Sequence, residues 1–370
     1  MSITKITVKA PGRINIIGEH TDYNEGFVLP AAIDKGITFR LVKNNSPGKV
    51  NITAKDVNET WSFDLERFDA IAPGWQNYVM GVVLELQNAG AYFTGFEGAF
   101  EGDIPIGSGM SSSAALECSL ATGLNGLFHL EKNEWQLIKA CQKAENDFVG
   151  MKCGIMDQFA SMMGKKGNAM LLDCRSLEFK YCPIELGDYE LLLLNSNILH
   201  NLTDSAYNNR REECEEGVKI IRKKFPKVET LRDVTMDMLH ATRNKLSGNI
   251  FGRCFHVVKE NQRVLEAVKV LAENDLVTLG DLMYQSHFSL QNHYEVSCEE
   301  MDYLVQVTLA RKEVLGSRMM GGGFGGCTIN LVESSFTDQF IEQISKLYRQ
   351  KFGFDLTPYK VSIADGARII

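Results

Sequence analysis

The chain has 370 residues, 44% of them hydrophobic and 23% charged, which suits a globular protein near two domains in size. Lys and Arg number 39 against 47 Asp and Glu, so the net charge is −8; with no basic block, the electrostatic footprint of a nucleic-acid binder is missing. Nine cysteines, odd in number and without a CxxC pair, argue against a disulfide framework or a zinc knuckle, and no apolar run nears the ~20 residues of a membrane-crossing helix.

A soluble, cytoplasmic protein with no nucleic-acid or membrane partner is therefore expected. An acidic chain of this kind binds an anionic ligand through local devices: backbone amides, a single Arg or a metal ion.

Alternation of apolar and polar residues predicts strands over Ile3–Lys9 and Asp34–Leu41, and hairpin material over Val50–Ala54 and Trp61–Phe63. Gly74–Gly90 has helical spacing and a glycine stop, Phe96–Phe100 is a short strand, and a Gly/Ser loop leads into an apolar helix over Ser112–Phe128. Asn133 caps a helix over Glu134–Val149, and another begins at Ile155 and runs to Met163. Strands follow over Ala169–Asp173, Phe179–Ile184 and Tyr189–Asn195. The texture then changes to charged amphipathic helices over Asp204–Phe225, Cys254–Glu273, Leu276–Asn292 and Cys298–Lys312. A glycine cluster, a strand over Cys327–Val332, a helix over Phe336–Phe352 and a strand near Tyr359–Ile363 complete the chain. This order predicts an α+β protein with domains over 1–195 and 196–370, the last strand packing back on the first domain.

Four segments concentrate the chemistry. In Gly12–Tyr23 (GRINIIGEHTDY), Arg13, Glu19, His20 and Asp22 cluster around a buried Ile strand and the Gly18 turn. Carboxylates and a His tautomer match a ligand with many hydroxyls, such as a sugar; a capped turn with surface charges is the plainer alternative. In Ile104–Ala115 (IPIGSGMSSSAA), Gly107 and Gly109 let the backbone approach a ligand, and the helix beyond presents free N–H groups to an anion. No Lys follows the second glycine, so this is not a Walker A loop; alone, it is equally a Gly-Ser loop with a serine cap. Ala144–Ala160 places Glu145 near the end of one helix and Asp157 in the first turns of the next, where each is solvated, capping or catalytic. In Gly316–Val332, glycines crowd ahead of a strand, which points to close backbone approach or to a flexible hairpin loop. His287 and His293 lack a same-face helical spacing, so a metal pair is not expected from them; Arg222–Lys224 reads as a solvated helix end, and Cys153 has no base partner in sequence.

Taken together and in this order, the four segments resemble the GHMP small-molecule kinases, and GRINIIGEHTDYNEGFVLP resembles the signature of the galactokinase family within them. The resemblance implies an N-terminal domain like ribosomal protein S5 domain 2 and a ferredoxin-like C-terminal domain, with the active site between them. It implies ATP-dependent phosphorylation of α-D-galactose to α-D-galactose 1-phosphate, the entry step of galactose catabolism. ATP would sit on Gly107, Ser108, Gly109 and Met110 with Ser111, Ser112 and Ser113, and Mg²⁺ on Ser113 and Glu145. The sugar would be held by Glu19, His20, Thr21 and Asp22, with Tyr207 and Asp157. Asp157 would take the proton of the anomeric hydroxyl or orient it, and Arg13 would pair with Asp157. A monomer or weak homodimer is expected. Sister kinases acting on N-acetylgalactosamine, arabinose or galacturonate, and a non-catalytic sugar sensor, are the alternatives.

Overall fold

The computed structural model describes residues 4–44, 46–105, 107–198 and 203–370. The first strand, β1 (Lys5–Asn15), alternates as far as Ala10 and is then buried without interruption to Asn15. The change comes at Pro11, which has no N–H to give the ladder, and pairing shifts register between Pro11 and Arg13. Gly12 sits in that bulge because a Cβ there would lie 2.6 Å from Met110 O. The bulge turns Arg13 toward the centre of the molecule, and the Arg13 N–H bonds to Met110 O at 3.1 Å.

Along the chain follow β2 (Phe27–Val28), β3 (Pro30–Lys43), β4 (Lys49–Ala54), β5 (Glu59–Asp64), α1 (Trp75–Asn88) and β6 (Phe96–Gly102). Next come α2 (Ser112–Phe128), α3 (Glu134–Lys143), α4 (Met156–Met163), β7 (Asn168–Asp173), β8 (Phe179–Pro183) and β9 (Tyr189–Asn195). The helical stretch holds α5 (Thr203–Arg222), α6 (Met236–Ala241), α7 (Gly248–Ala272), α8 (Leu276–Ser289) and α9 (Glu299–Thr308). The chain closes with β10 (Val314–Met319), β11 (Cys327–Glu333), α10 (Thr337–Phe352), β12 (Thr357–Val361) and β13 (Arg368–Ile369).

Among the described residues there are three sheets: β13-β1-β3-β6-β4-β5, with β4 and β6 parallel; the antiparallel β10-β11-β9-β12; and the small β2-β7-β8. α2 packs on β1 and β3 and is apolar almost all round, as a helix enclosed between a sheet and α1, α3 and α4 must be. By sheet membership β9 belongs with β11 and β12, so we propose a domain boundary ahead of Tyr189 rather than after Asn195. The strand expected near Tyr359–Ile363 is β12 on β9; the chain returns to the first sheet through the Ile33–Ile363 bridge and through β13 on β1.

Besides the short β2, α6 and β13, which the sequence did not announce, several elements depart from the sequence expectation. The helix predicted to Val149 ends at Lys143 and loosens into a π turn, Ala144–Val149, that carries Glu145. α7 starts six residues early, at a Ser247 cap whose side chain accepts from Ile250 N. β10 lies where no strand was expected. No helix among the described residues is long and apolar enough to cross a membrane.

Candidate active site

A cavity of about 280 Å³ opens where the end of β1, the loop before α2, the start of α4, α5 and the glycine segment after β10 converge. At its centre Arg13 donates two hydrogen bonds to Asp157, Nε to Oδ1 at 2.9 Å and Nη2 to Oδ2 at 3.0 Å. Arg13 Nη1 also bonds to Gly109 O, and Ser111 Oγ donates to Asp157 Oδ2 at 2.5 Å. Ser111 can aim that hydroxyl because it adopts a left-handed conformation (φ 57°) just before α2. Burial works against the Arg13 charge, yet Asp157, Glu19 and Asp22 raise its pKa, so the guanidinium stays charged within an acidic site.

At the sugar-signature end, Glu19 Oε1 accepts from Gly321 N at 2.9 Å and forms an ion pair with Arg318 Nη2 at 2.8 Å. His20, also left-handed (φ 63°), faces the cavity with Tyr207, their ring centroids 5.4 Å apart. Both His20 ring nitrogens are engaged, Nδ1 with Tyr23 OH at 2.8 Å and Nε2 with Gly322 O at 3.2 Å, so while these bonds stand His20 walls the pocket and leaves no ring nitrogen for a hydroxyl. Thr21 is not among the residues that line the cavity. It is fully buried, its hydroxyl bonded to Gly18 O at 2.9 Å and Phe27 O at 2.6 Å, and it shapes the turn.

Asp22 lines the cavity with its carboxyl pushed up to about 7, by burial first and the Asp157 charge second. To accept hydroxyl protons it must be ionised, so acidification below about pH 7 is expected to raise the KM for the hydroxyl-bearing substrate. The KM for the other substrate should stay level and Asp22→Asn should abolish the pH response. His20 cannot account for such a limb, because burial lowers its pKa to about 3. Gly154 offers a second check. A Cβ there would lie 1.9 Å from Asp22 Oδ2, although its φ lies outside the left-handed region. Gly154→Ala should therefore displace Asp22 and raise the same KM about tenfold, with the fold intact in a thermal melt.

On the opposite side Gly107 (φ 72°) and Gly109 (φ 74°) carry the loop into the α2 N-terminus, whose free N–H groups face the cavity. Ser108 and Met110 offer backbone there, since the Ser108 hydroxyl is bonded to Pro105 O at 2.7 Å and the Met110 side chain is fully buried in the core. Ser112 and Ser113 remain half-buried on the cavity rim. Glu145 reaches the rim from the π turn. Its carboxylate accepts from Gln158 Nε2 at 2.6 Å and is bonded to Ser113 and Cys153. Burial, then Asp157, raises its pKa to about 7. Glu117 lies behind it, sharing the Gln158 amide at 3.0 Å.

Comparison with known proteins bears directly on this arrangement. Residues 2–41 match the galactokinase galactose-binding signature, residues 77–165 the GHMP kinases N terminal domain and residues 267–350 the GHMP kinases C terminal region. A galactokinase of Thermotoga maritima is 41% identical over 363 residues, spanning 98% of this chain and 99% of its own. One of Clostridium acetobutylicum is 44% identical over 368 residues, spanning 98% and 94%. The chain belongs to the galactokinase family. The crystal structure of Lactococcus lactis galactokinase complexed with galactose superposes with a TM-score of 0.94 at 35% identity, covering 98% of this chain and 95% of that one. Methanococcus jannaschii mevalonate kinase shares the fold at a TM-score of 0.69 and 16% identity, covering 97% and 98%. The α+β GHMP kinase fold expected from the sequence is thus the fold of this family member.

Apart from Tyr207, the sequence assigned no binding or catalytic role to a residue of the C-terminal half, yet that half braces the Gly18–Asp22 turn. His256 Nε2 bonds to Glu19 O at 3.1 Å, and Glu260 accepts from Gly18 N at 3.0 Å. Glu260 is held well ionised, at about 2, because Arg263 and neighbouring groups overcome its burial. These residues sit one or two helical turns apart on α7 among ordinary amphipathic neighbours, which gives them no signature in sequence. Arg318 does have one, as a charge inside the third glycine motif. His287, set aside as a ligand, is a buried partner of Asp302 at 3.3 Å.

Proposed function

We propose that the chain transfers the γ-phosphoryl group of ATP to the anomeric hydroxyl of α-D-galactose, giving α-D-galactose 1-phosphate and ADP. One observation carries this: the bidentate Arg13–Asp157 pair stands between a loop of phosphate-binding form and a turn rich in carboxylates. Galactose fits the Glu19, Asp22 and Tyr207 side, with the His20 ring as wall; ATP fits the Gly107–Ser113 side, its phosphates toward the α2 N-terminus. The sugar oxygen then meets Asp157, which takes its proton as the new O–P bond forms. The bond between the β and γ phosphates breaks and ADP leaves. Arg13 fixes the Asp157 carboxylate in plane and puts positive charge beside the migrating group.

Ser113 and Glu145 suit Mg²⁺. They are hard oxygen donors, and the Glu145 carboxyl is destabilised as an anion by burial and by Asp157, so a cation there relieves both. Among the described residues no group of three or more His, Cys, Asp or Glu forms a metal cage, so phosphate and water would supply the other ligands. When bound, the ion would neutralise charge on the phosphates. Nine free cysteines suit the reducing cytoplasm, where we place the enzyme as a monomer or weak homodimer. The deciding experiment is ADP release with Mg·ATP across galactose, N-acetylgalactosamine, glucose, arabinose and galacturonate. Galactose is expected to turn over well above the rest. Preference for another sugar overturns the substrate, and galactose binding without any turnover makes the protein a sensor.

A further inference from the structure

Beneath the sugar wall runs a hydrogen-bond chain that phosphoryl transfer does not use. It passes from Gly322 O to His20 Nε2 (3.2 Å), from His20 Nδ1 to Tyr23 OH (2.8 Å), on to Tyr294 OH (2.7 Å), and ends at Cys214 Sγ (3.2 Å). Taken one at a time, the hydroxyl, thiol and imidazole members can point a proton either way. A carbonyl oxygen can only accept, and that settles the direction of the whole chain. His20 Nε2 must carry the ring proton. Burial keeps the ring neutral, with its pKa lowered to about 3, so Nδ1 presents a lone pair and Tyr23 donates to it. Having given its single proton, Tyr23 accepts from Tyr294, and Tyr294 accepts from the Cys214 thiol. The far end is anchored: Tyr294 is 0% and Cys214 1% exposed, and Asn24 bonds both the thiol and His20 O, the latter at 2.9 Å.

We propose that Tyr23, backed by Tyr294 and Cys214, is a positioning residue for the sugar site, holding the His20 ring from Nδ1 while its Nε2–H fastens the Gly322 segment to the sugar-binding turn. This deepens the galactose reading and rests on it. Without the Tyr23 hydroxyl, Nδ1 is a buried acceptor with no donor, and the ring is held from one side only, by its Nε2–H on the Gly322 carbonyl. The ring would then be free to turn about that single bond, and the wall would loosen.

The test labels the histidines with ¹⁵N in the full chain and reads tautomers from two-bond ¹H–¹⁵N correlations; His20→Gln identifies the His20 signal among the seven histidines. The unaltered chain is expected to hold His20 as Nε2–H without any substrate, and an Nδ1–H signal overturns the proposal. Tyr23→Phe is expected to keep the Nε2–H form, shift the His20 Nδ1 resonance as its hydrogen bond is lost, and raise the galactose KM about tenfold, with ATP KM and kcat within about twofold. Tyr294→Phe leaves the Tyr23 donor in place and should keep the tautomer with a smaller rise. An unchanged Nδ1 resonance and galactose KM in Tyr23→Phe overturn the proposal, as does a parallel rise of both KM values with a lowered melting temperature. If Tyr23→Phe does not fold, Tyr294→Phe decides, a galactose-selective KM rise supporting the proposal and its absence overturning it. Lack of galactose turnover in the unaltered chain overturns the substrate assignment, a failure the tautomer measurement does not share.

Discussion

Asp157→Asn is expected to lower kcat with galactose by about 10²–10⁴-fold while ATP still binds. The substitution keeps the shape of the side chain and removes its charge and its ability to take a proton. Asp157 is the acceptor for Arg13 and Ser111 together, and its side chain remains 26% exposed toward the cavity, enough to reach a bound hydroxyl. The ATP side depends on the α2 N-terminus and on Ser112 and Ser113, none of which the isosteric amide would displace. A modest fall in stability is also expected, because Arg13, with its side chain 5% exposed, loses its ionic partner. Thermal melts therefore accompany the kinetics, and nucleotide affinity is read with a non-hydrolysable ATP analogue. The transfer is loose and asks little nucleophilic push, so Asp157 acts as much through placing the hydroxyl as through basicity. A near-normal kcat in this variant would remove Asp157 from the mechanism.

The residues legible in sequence are those whose neighbours are also unusual. Arg13, Glu19 and Asp22 stand within ten residues in a segment with no other reason to hold so many charges, and Gly107 to Ser113 precede an apolar helix that needs a start. Strand alternation gave β3 and β4 to within a few residues, because burial alternates along β4 and along much of β3. β10 stayed hidden because VLGSRM neither alternates nor looks apolar: Gly316 is there for the close approach of Gly280, whose Cα would lie 2.5 Å from a Cβ, and Ser317 and Arg318 are polar yet fully buried. A polar residue is buried for the sake of a partner, and here the partners are far away in sequence. Ser317 bonds to Asn330 on the neighbouring strand, and Arg318 reaches Glu19 across 299 residues. The π turn at Glu145 was invisible for a related reason, since helical spacing continues through it and only the requirement to bring a carboxylate to the cavity rim distinguishes it.

Arg318→Met is expected to cost about 3–5 kcal/mol of stability and to weaken galactose binding more than ATP binding. Arg318 is fully buried, with Nη1 donating to Asn15 O at 2.7 Å and Nη2 paired with Glu19, whose side chain is 3% exposed. Methionine of similar length fills much of the space, so the penalty arises chiefly from the Glu19 charge and the Asn15 carbonyl left without their partner. Glu19→Gln alone strands the opposite charge and should also destabilise. The double variant removes both charges together and is expected to be more stable than the sum of the two singles predicts, a coupling readable in a denaturant cycle. Galactose binding should not recover with it, because the hydroxyl-binding carboxylate is gone. Arg318→Lys would fall between, since one ammonium cannot serve both the strand carbonyl and the carboxylate that the guanidinium fork spans. Additive single and double effects would show that the pair is not coupled. Weakening of galactose and ATP binding to the same degree would show that Arg318 supports the whole fold and not the sugar turn.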